Sequence, residues 1–413
     1  MNARSIRLRL SFRAKREISL TLELNKVTKQ VVQLGEQAAQ RQREADAIVP
    51  EVQKILRDHA NDAALRDLAQ RAMETQRWRG AIPIGEPLDA AIDPPPHPSH
   101  LTIVAGDGSQ IYPDTHGIVL YYLINIGTIV FRHGSGQAPI VATEPRVYGD
   151  AETLYDDDQL VSGPLINARR SLAELARIAE QSLAEFEQGS TIALLDGTLA
   201  LWARAETISK DQQDQLERDY IRWLDRLREA KLPIGAFVSR PRSTMVAQLA
   251  RLATFDDPEK AIASVMNDRT PAFNGLRDTA IFSGLLNPGQ RSAVFEVAPG
   301  WNTTYRERGH SIHFFYIHVG DATRSIIARV EVPVWIAHER SAVGLLHAAI
   351  VEQCTVSPGY PYVLARAHEI AVVTNAERAE FETMLATQLT RHGVEAQPSE
   401  KQFQKSLLAA KRH

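Results

Sequence analysis

The sequence predicts an α/β fold in which helices flank a mixed β-sheet, with an additional helical region at the N-terminus. Two observations predict it. After residue 100 the apolar runs follow the order strand, strand, strand, helix, strand, helix, strand, whereas earlier apolar residues recur only at helical steps. The 413 residues are 44% hydrophobic and 23% charged, which is typical of a globular protein of two or three structural units.

Residues 1–91 comprise a basic arm followed by a helical region. The arm, "MNARSIRLRLSFRAKREISL", lacks the apolar core of a secretory signal, so we interpret it as an arm or a short strand. The following apolar residues alternate steps of three and four with one position missed: Leu24, Val27, Val31, Leu34, Ala38, Ala45, Ile48 and Val52. This seam predicts a helix pair or short coiled coil, within one chain or between chains, and Pro50 is placed to open a fresh helix. The segment "IDPPPHPSH" at 92–100 then predicts a stiff linker.

The domain predicted at residues 101–413 begins with three strands and a helix. The strands are "LTIVAGDGS", "GIVLYYLINIG" and "TIVFRHG", and after an acidic loop "NARRSLAELARIAEQSLAEFEQG" predicts a long helix. The strand "TIALLDGTLALWA", a helix at 211–230, the strand "PIGAFVSR" and the helix "STMVAQLARLA" follow. Further strands are predicted at "SAVFEV", "SIHFFYIHVG" and "SIIARVEVPVWIA", and further helices at 341–354, 376–392 and 399–411.

Charge and cysteine content exclude some classes of function. The formal net charge is −3, so any surface that binds nucleic acid must be a local basic patch. The one cysteine, Cys354, excludes an intramolecular disulfide and a metal site built from several cysteines, and it fits a cytoplasmic location. No run approaches the roughly 18 apolar residues of a membrane span, so no membrane contact is expected.

Two of the predicted strands end in the same way, with an aspartate followed by a glycine. The element order matches the ribonuclease-H-like fold, in which acids lie on the first strand, on the following helix and near the end of the fourth strand. Those places hold Asp107, Glu174 and Asp196. Because neighbouring parallel strands lie about 4.8 Å apart, the aspartates could share a hard cation such as Mg²⁺ or Mn²⁺. Gly108 and Gly197, which lack a Cβ, would let a phosphate approach it.

Each feature also has an ordinary structural explanation. A single Asp-Gly pair is common turn chemistry, and Glu174 competes with Glu180, Glu185 and Glu187 on the same predicted helix. His368, in "GYPYVLARAHEIAVV", could ligate a metal or position an attacking water, because an imidazole titrates near neutral pH. Capping a helix or packing against one is the commoner role of a lone histidine.

Seven segments of the chain, taken in order, resemble the NurA nuclease family. They are "VAGDGSQIYPD", "ALLDGTLALW", "GAFVSRPRS", "FSGLLNPGQRSAVFEV", "HFFYIHVG", "ARVEVPVWIA" and "GYPYVLARAHE", and the resemblance covers about residues 100 to 405. It implies a ribonuclease-H-like core and a metal-dependent nuclease that cuts single-stranded DNA and acts as a 5′-to-3′ exonuclease. It also implies Mn²⁺ as the favoured ion, a homodimer, and a HerA-type hexameric DNA-translocating ATPase as partner in end resection during double-strand-break repair.

The resemblance also implies roles for individual residues. The catalytic and metal-binding set would be Asp107, Asp196, His368 and, on the helix, Glu174 with Glu180 as runner-up. With these ligands, two cations roughly 3.5–4 Å apart would activate a water and stabilise the leaving 3′-oxygen.

A second set of residues is expected to contact DNA. A family tyrosine falls on Tyr360 or Tyr362, Lys401 and Lys405 lie in the closing basic helix, and Arg240, Arg242 and Arg329 could neutralise the strand backbone. Surface salt pairing is the alternative role for the three arginines.

Two other functions compete with a nuclease. An actin-like or sugar-kinase ATPase usually carries Asp-x-Gly-Ser/Thr, whereas here the aspartates precede glycine directly, and no G-x-x-x-x-G-K-[ST] loop is present. A non-catalytic dimeric DNA clamp or adaptor for a translocase would have no need of clustered carboxylates beside DNA phosphates.

Overall fold

The structure is a computed structural model that describes residues 23–75, 77–117, 119–267, 272–298 and 300–394. The predicted basic arm, the helix predicted at 399–411, and Lys401 and Lys405 lie outside the described residues. The chain divides into two compact units, Met1–Ala47 and Ile48–His413. Among the described residues, no helix is long and apolar enough to cross a membrane.

Helix α1 spans Leu24–Asp58 and helix α2 spans Ala63–Glu74. The expectation that Pro50 opens a fresh helix is wrong, because Pro50 lies inside α1: a single missing N–H does not end a helix whose other hydrogen bonds persist. In the first unit the seam residues Leu24, Val31 and Leu34 are exposed, whereas Val52 of the second unit is buried.

The remaining helices and strands all belong to the second unit. The strands are β1 (Ala81–Pro83), β2 (Leu101–Ile111), β3 (Tyr122–His133), β4 (Ile140–Tyr148), β5 (Tyr155–Asp156), β6 (Gln159–Leu160), β7 (Thr191–Asp196), β8 (Ile234–Val238), β9 (Phe295–Val297), β10 (Ile312–His318) and β11 (Ile327–Pro333). The helices are α3 (Ala151–Leu154), α4 (Gly163–Phe186), α5 (Lys210–Glu229), α6 (Met245–Leu252), α7 (Pro258–Asn267), α8 (Asp278–Ser283), α9 (Asn302–Glu307), α10 (Val334–Ala337), α11 (Arg340–Val356), α12 (Tyr362–Ala371) and α13 (Asn375–Arg391), with a 3₁₀ turn at Ala272–Gly275.

Nine strands of the described residues form one mixed sheet in the order β1-β9-β10-β11-β8-β7-β2-β3-β4. Strand β2 pairs in parallel with β7, and β7 pairs in parallel with β8, while the remaining neighbours are antiparallel. Helices α4 and α12 both pack on β2 and β3. The observed fold is therefore mixed α/β with a large mixed sheet and flanking helices.

The three opening strands differ from those predicted. The second and third predicted strands are one strand, β3, which runs through Gly127. Gly127 is not a break in the strand: a Cβ there would lie 2.5 Å from the backbone nitrogen of Ala371, so the glycine permits close packing of α12. The true third strand, β4, was missed because it is a mostly exposed edge strand that contains Pro145.

Two smaller differences concern strand ends. Strand β7 ends at Asp196, so the second half of "TIALLDGTLALWA" is not strand. The segment "VWIA", predicted to continue a strand, is helix α10, because Pro333 ends the ladder and stands at the cap of this helix.

The hydrophobic core on the α12 side of the sheet extends to the strand ends. Ile103 and Ala105 of β2 and Ile192 and Leu194 of β7 pack in one buried cluster with residues of α11 and α12. Because side chains alternate along a strand, the next residues on this face are Asp107 and Asp196.

Candidate active site

Asp107 and Asp196 lie side by side on the neighbouring strands β2 and β7. The parallel register pairs Gly106 with Leu195, so the two aspartates are the next residues on both strands and project from the same face. Adjacent strands lie about 4.8 Å apart, which is close enough for two carboxylates to share one ligand.

The glycine after each aspartate shapes the backbone beside it: Gly197 follows the end of β7, whereas Gly108 lies inside β2. Gly108 donates its N–H to Asp107 Oδ1 at 2.8 Å, and Gly197 donates its N–H to the carbonyl of Phe237 at 2.9 Å. Gly197 has a φ of 89°, a left-handed conformation that favours glycine, and space is open around its Cβ position. The chain can therefore turn sharply beside Asp196 and leave the carboxylate accessible.

Glu174 reaches the same strands from the opposite face of the sheet, on helix α4. A Cβ at Gly108 would lie 2.4 Å from Glu174 Oε1, so Gly108 makes room for this glutamate and not, as predicted, for a phosphate. The side chain of Glu174 is buried, and Arg170, one turn earlier, lies 3.0 Å from Oε1 through its Nε. Glu180, the alternative, is exposed on the same helix and pairs with Arg177. The geometry favours Glu174.

His368 contacts the site from helix α12. Its Nδ1 donates to Asp107 Oδ2 at 2.6 Å, and its side chain is 61% exposed. The carbonyl of Ala371, near the end of α12, accepts hydrogen bonds from Asn125 and Ser109, which hold the helix against the strands. The sequence offered no signal for the roles of Asn125 and Ser109.

The structure distinguishes between the two tyrosines. Tyr360 is half-buried, its hydroxyl lies close enough to Asp196 to affect the pKa of that carboxyl, and its ring packs edge-on against Phe237. Tyr362 contacts the ring of Phe131 instead. Tyr360 therefore lies beside Asp196, and its hydroxyl lowers the pKa of Asp196 against the effect of burial.

The carboxylates repel one another. Burial raises the pKa of Glu174 to about 8, with Asp107 and Asp196 adding to the increase while Arg170 opposes it. Burial, with a contribution from Asp107, also raises the pKa of Asp196. A divalent cation would relieve this repulsion.

The donor set fits a hard metal ion, although the side chains are not arranged around one. Glu174 Oε1 is a buried oxygen without a hydrogen-bond partner, because the nearby Nε–H of Arg170 is not aligned with it. Three carboxylates and one imidazole are ligands that Mn²⁺ and Mg²⁺ accept. Within the described part of the chain, however, no group of three or more His, Cys, Asp or Glu side chains forms a ready metal site. Asp107 instead bonds to His368, and Asp196 lies beside Tyr360.

The predicted DNA-binding arginines divide into two groups. Phe237 of β8 pairs with Asp196, so the chain leaves β8 at the site edge, and the next arginines, Arg240 and Arg242, are exposed. Arg329 is buried, ion-paired and stacked in the protein interior, so the prediction that it contacts a DNA strand is wrong. Its pattern in the sequence did not reveal that β11 is covered on both sides.

A domain family and two solved nuclease structures resemble this chain. A sequence profile described as the NurA domain matches residues 101–373, more than half of the chain. The crystal structure of the NurA nuclease from Sulfolobus solfataricus is similar with a TM-score of 0.50 at 11% identity, and the match covers 89% of this chain and 98% of that one. The catalytic domain of human endonuclease V matches at 12% identity with a TM-score of 0.32, covering 78% and 97%. No curated protein matches the sequence.

Proposed function

The chain belongs to the NurA domain family, and from this premise we propose that it is a divalent-metal-dependent DNA nuclease. The observation that carries the proposal is the adjacent position of Asp107 and Asp196 on parallel strands, with Glu174 close enough for both aspartates to raise its pKa. Carboxylates that repel one another destabilise the fold, and a bound cation would offset that repulsion, so their arrangement is better explained by cation binding.

We further propose that the core is ribonuclease-H-like. The strands β4, β3, β2, β7 and β8 are neighbours in that order, with β3 antiparallel to both of its neighbours. In the chain, helix α4 lies between β4, the third of these strands in sequence order, and β7, the fourth, as the predicted element order requires.

The chemistry proposed for each side chain follows from its contacts. Asp107, Asp196 and Glu174 would hold Mn²⁺ or Mg²⁺, as two ions, which when bound would supply Lewis acidity for phosphodiester hydrolysis. Because His368 donates from Nδ1 to Asp107, the neutral imidazole carries its lone pair on Nε2, and this atom can accept a proton from water. The hydroxyl of Tyr360 would favour the ionised form of Asp196, because it lowers the pKa that burial raises.

The DNA strand is proposed to run past the exposed end of β8. Arg240 and Arg242 would contact its phosphates, and Lys401 and Lys405 remain candidates for the same task. Because the net charge is −3, such basic residues must be concentrated along a groove, and DNA affinity should fall steeply with salt.

The biological setting is proposed from family membership. The enzyme would cut single-stranded DNA and digest 5′ ends during end resection in double-strand-break repair. It would act as a homodimer with a HerA-type hexameric translocase. The units at 1–91, 92–100 and 101–413 remain the proposed division of the chain.

A nuclease assay tests the activity directly. End-labelled single-stranded and duplex DNA are incubated with the protein in Mn²⁺, in Mg²⁺ and in chelator. We expect cleavage only with a divalent ion, and we expect Asp107→Asn and Asp196→Asn to slow it by more than about 100-fold. Removing an outer-shell partner of a metal ligand costs up to about 100-fold, and removing a ligand itself should cost more.

The matched control is Glu180→Gln, which neutralises an exposed glutamate on the same helix as Glu174. It should cleave at the wild-type rate. Metal-dependent cleavage that survives in both aspartate variants would contradict the site, and DNA binding without cleavage in any metal would identify a clamp.

A further inference from the structure

The residues that follow Asp196 are held by a buried carboxylate from another part of the sheet. Glu331 Oε2 accepts hydrogen bonds from Thr198 Oγ1 at 2.7 Å and from the backbone N–H of Leu199 at 3.0 Å. Glu331 lies on β11, which is separated from β7 by β8. The contact therefore links the strand end that carries Asp196 to a strand two positions away.

Glu331 is itself fixed by Arg329. The guanidinium Nη2 lies 2.8 Å from Glu331 Oε1, and the side chains of the two residues are 5% and 6% exposed. The guanidinium also stacks over the ring of Phe314, 3.9 Å from its centroid. Both carboxylate oxygens of Glu331 are thus occupied, one by the arginine and one by the turn after Asp196.

The hydrogen bonds to Glu331 hold the backbone directly after Gly197. Gly197 has no side chain and adopts a φ of 89°, so its own packing cannot fix the path of the chain beyond Asp196. Its N–H bonds to Phe237, and the next two residues bond to Glu331. Together these bonds set the direction in which Asp196 leaves the sheet.

A buried ion pair is a poor device for stability, because desolvation can outweigh the attraction between the charges. The Arg329–Glu331 pair is better explained by its effect on the conformation of the turn after Asp196. We propose that Glu331 is a positioning residue for the active site: supported by Arg329, it holds the turn after Asp196 so that this aspartate can bind the divalent ion. The inference rests on the proposed function, and it gives the "ARVEVPVWIA" segment a role there.

Mn²⁺ binding to the DNA-free protein tests the proposal. Isothermal titration calorimetry measures the affinity of the full chain for Mn²⁺, and thermal unfolding in chelator measures stability separately. We expect Glu331→Ala to weaken Mn²⁺ binding about 10- to 100-fold, the usual range for an outer-shell partner of a metal ligand.

The chain offers a matched control in the Glu86–Arg291 pair. Glu86 also accepts from a buried arginine and from a backbone N–H, that of Val294, but the pair lies beyond β10, β11 and β8 from Asp196. Glu86→Ala should lower the unfolding temperature and leave the Mn²⁺ affinity unchanged.

Two further variants separate positioning from folding. The double variant Arg329→Met with Glu331→Gln keeps an acceptor for the turn without leaving a buried charge unpaired, so it should bind Mn²⁺ nearly as well as the wild type. Thr198→Val removes one donor to Glu331 and should weaken binding less than Glu331→Ala does; it decides the matter if Glu331→Ala does not fold.

The outcomes are distinguishable. A wild-type protein that does not bind Mn²⁺ contradicts the proposed function. If the wild type binds but Glu331→Ala, or Thr198→Val in its place, binds equally well, the positioning role is overturned. It is also overturned if the double variant loses as much affinity as Glu331→Ala, or if Glu86→Ala loses as much.

Discussion

Glu174→Gln should stabilise the metal-free protein, and it should do so only at higher pH. In the folded chain the pKa of Glu174 is about 8, against an ordinary value of 4.5, because the carboxyl is buried beside Asp107 and Asp196. The folded state therefore binds more protons than the unfolded state between these values. The contribution of this group to stability is complete below pH 4.5, declines as the pH rises, and is lost above about pH 8.

The size of the effect follows from the shift. A difference of about 3.5 pKa units corresponds to about 5 kcal/mol at 1.36 kcal/mol per unit. This shift already includes the opposing attraction of Arg170, and at pH 8 about half of the carboxyl groups are still protonated, so somewhat less than the full value is expected there. We expect the variant to exceed the wild type by about 2 to 4 kcal/mol at pH 8 and by less than about 1 kcal/mol at pH 5.

Urea denaturation of both proteins in chelator, at pH 5 and pH 8, measures the difference. Other buried carboxyls, such as Asp278, titrate equally in both proteins and cancel in the comparison. Mn²⁺ should stabilise the wild type more than the variant, since the variant lacks one proposed ligand. The variant could instead be less stable than the wild type at pH 8, or the difference could stay the same at both pH values. Either result would show that burial and charge repulsion do not raise the pKa of Glu174.

Three more predictions concern single contacts. Tyr360→Phe removes the donor that lowers the pKa of Asp196, so Mn²⁺ affinity should fall more at pH 6 than at pH 8, whereas Tyr362→Phe should leave both values unchanged. Gly127→Ala forces helix α12 away from the sheet and should cost about 2 to 3 kcal/mol in urea denaturation while lowering cleavage. Arg240→Ala should weaken binding of single-stranded DNA and reduce the slope of log affinity against log salt by about 1, measured by fluorescence anisotropy.

Each of these has a clear contrary result. An equal loss of Mn²⁺ affinity at both pH values would separate Tyr360 from the titration of Asp196. A Gly127→Ala protein with wild-type stability would mean that α12 does not need its close approach to β3. An unchanged salt slope in Arg240→Ala would exclude a phosphate contact at that position.

Local patterns in the sequence located much of the sheet but misjudged its borders. Strands β2, β7, β8 and β10 were found because buried strands are apolar runs bounded by turn residues. Strand β4 was missed because an edge strand needs no apolar face, and β3 was divided at Gly127, where the glycine serves the packing of a helix from far along the chain. Hydrophobic periodicity in a sequence indicates which residues are buried. It does not indicate which helix or strand packs against them.

The amino-acid order alone specifies the types of residue available for chemistry and places Asp107 and Asp196 after apolar runs. Asp196 ends β7, but β2 continues past Asp107 to Ile111, so the parallel register of the folded sheet is what brings the two aspartates together. Folding selects among the other candidates. It buries Glu174 and leaves Glu180 exposed, and it brings Tyr360 rather than Tyr362 beside Asp196. It also turns Arg329 inward, because covering elements distant in the chain enclose its strand. Whether a charged side chain meets solvent, a partner or another charge depends on contacts between distant segments, and these exist only in the folded chain.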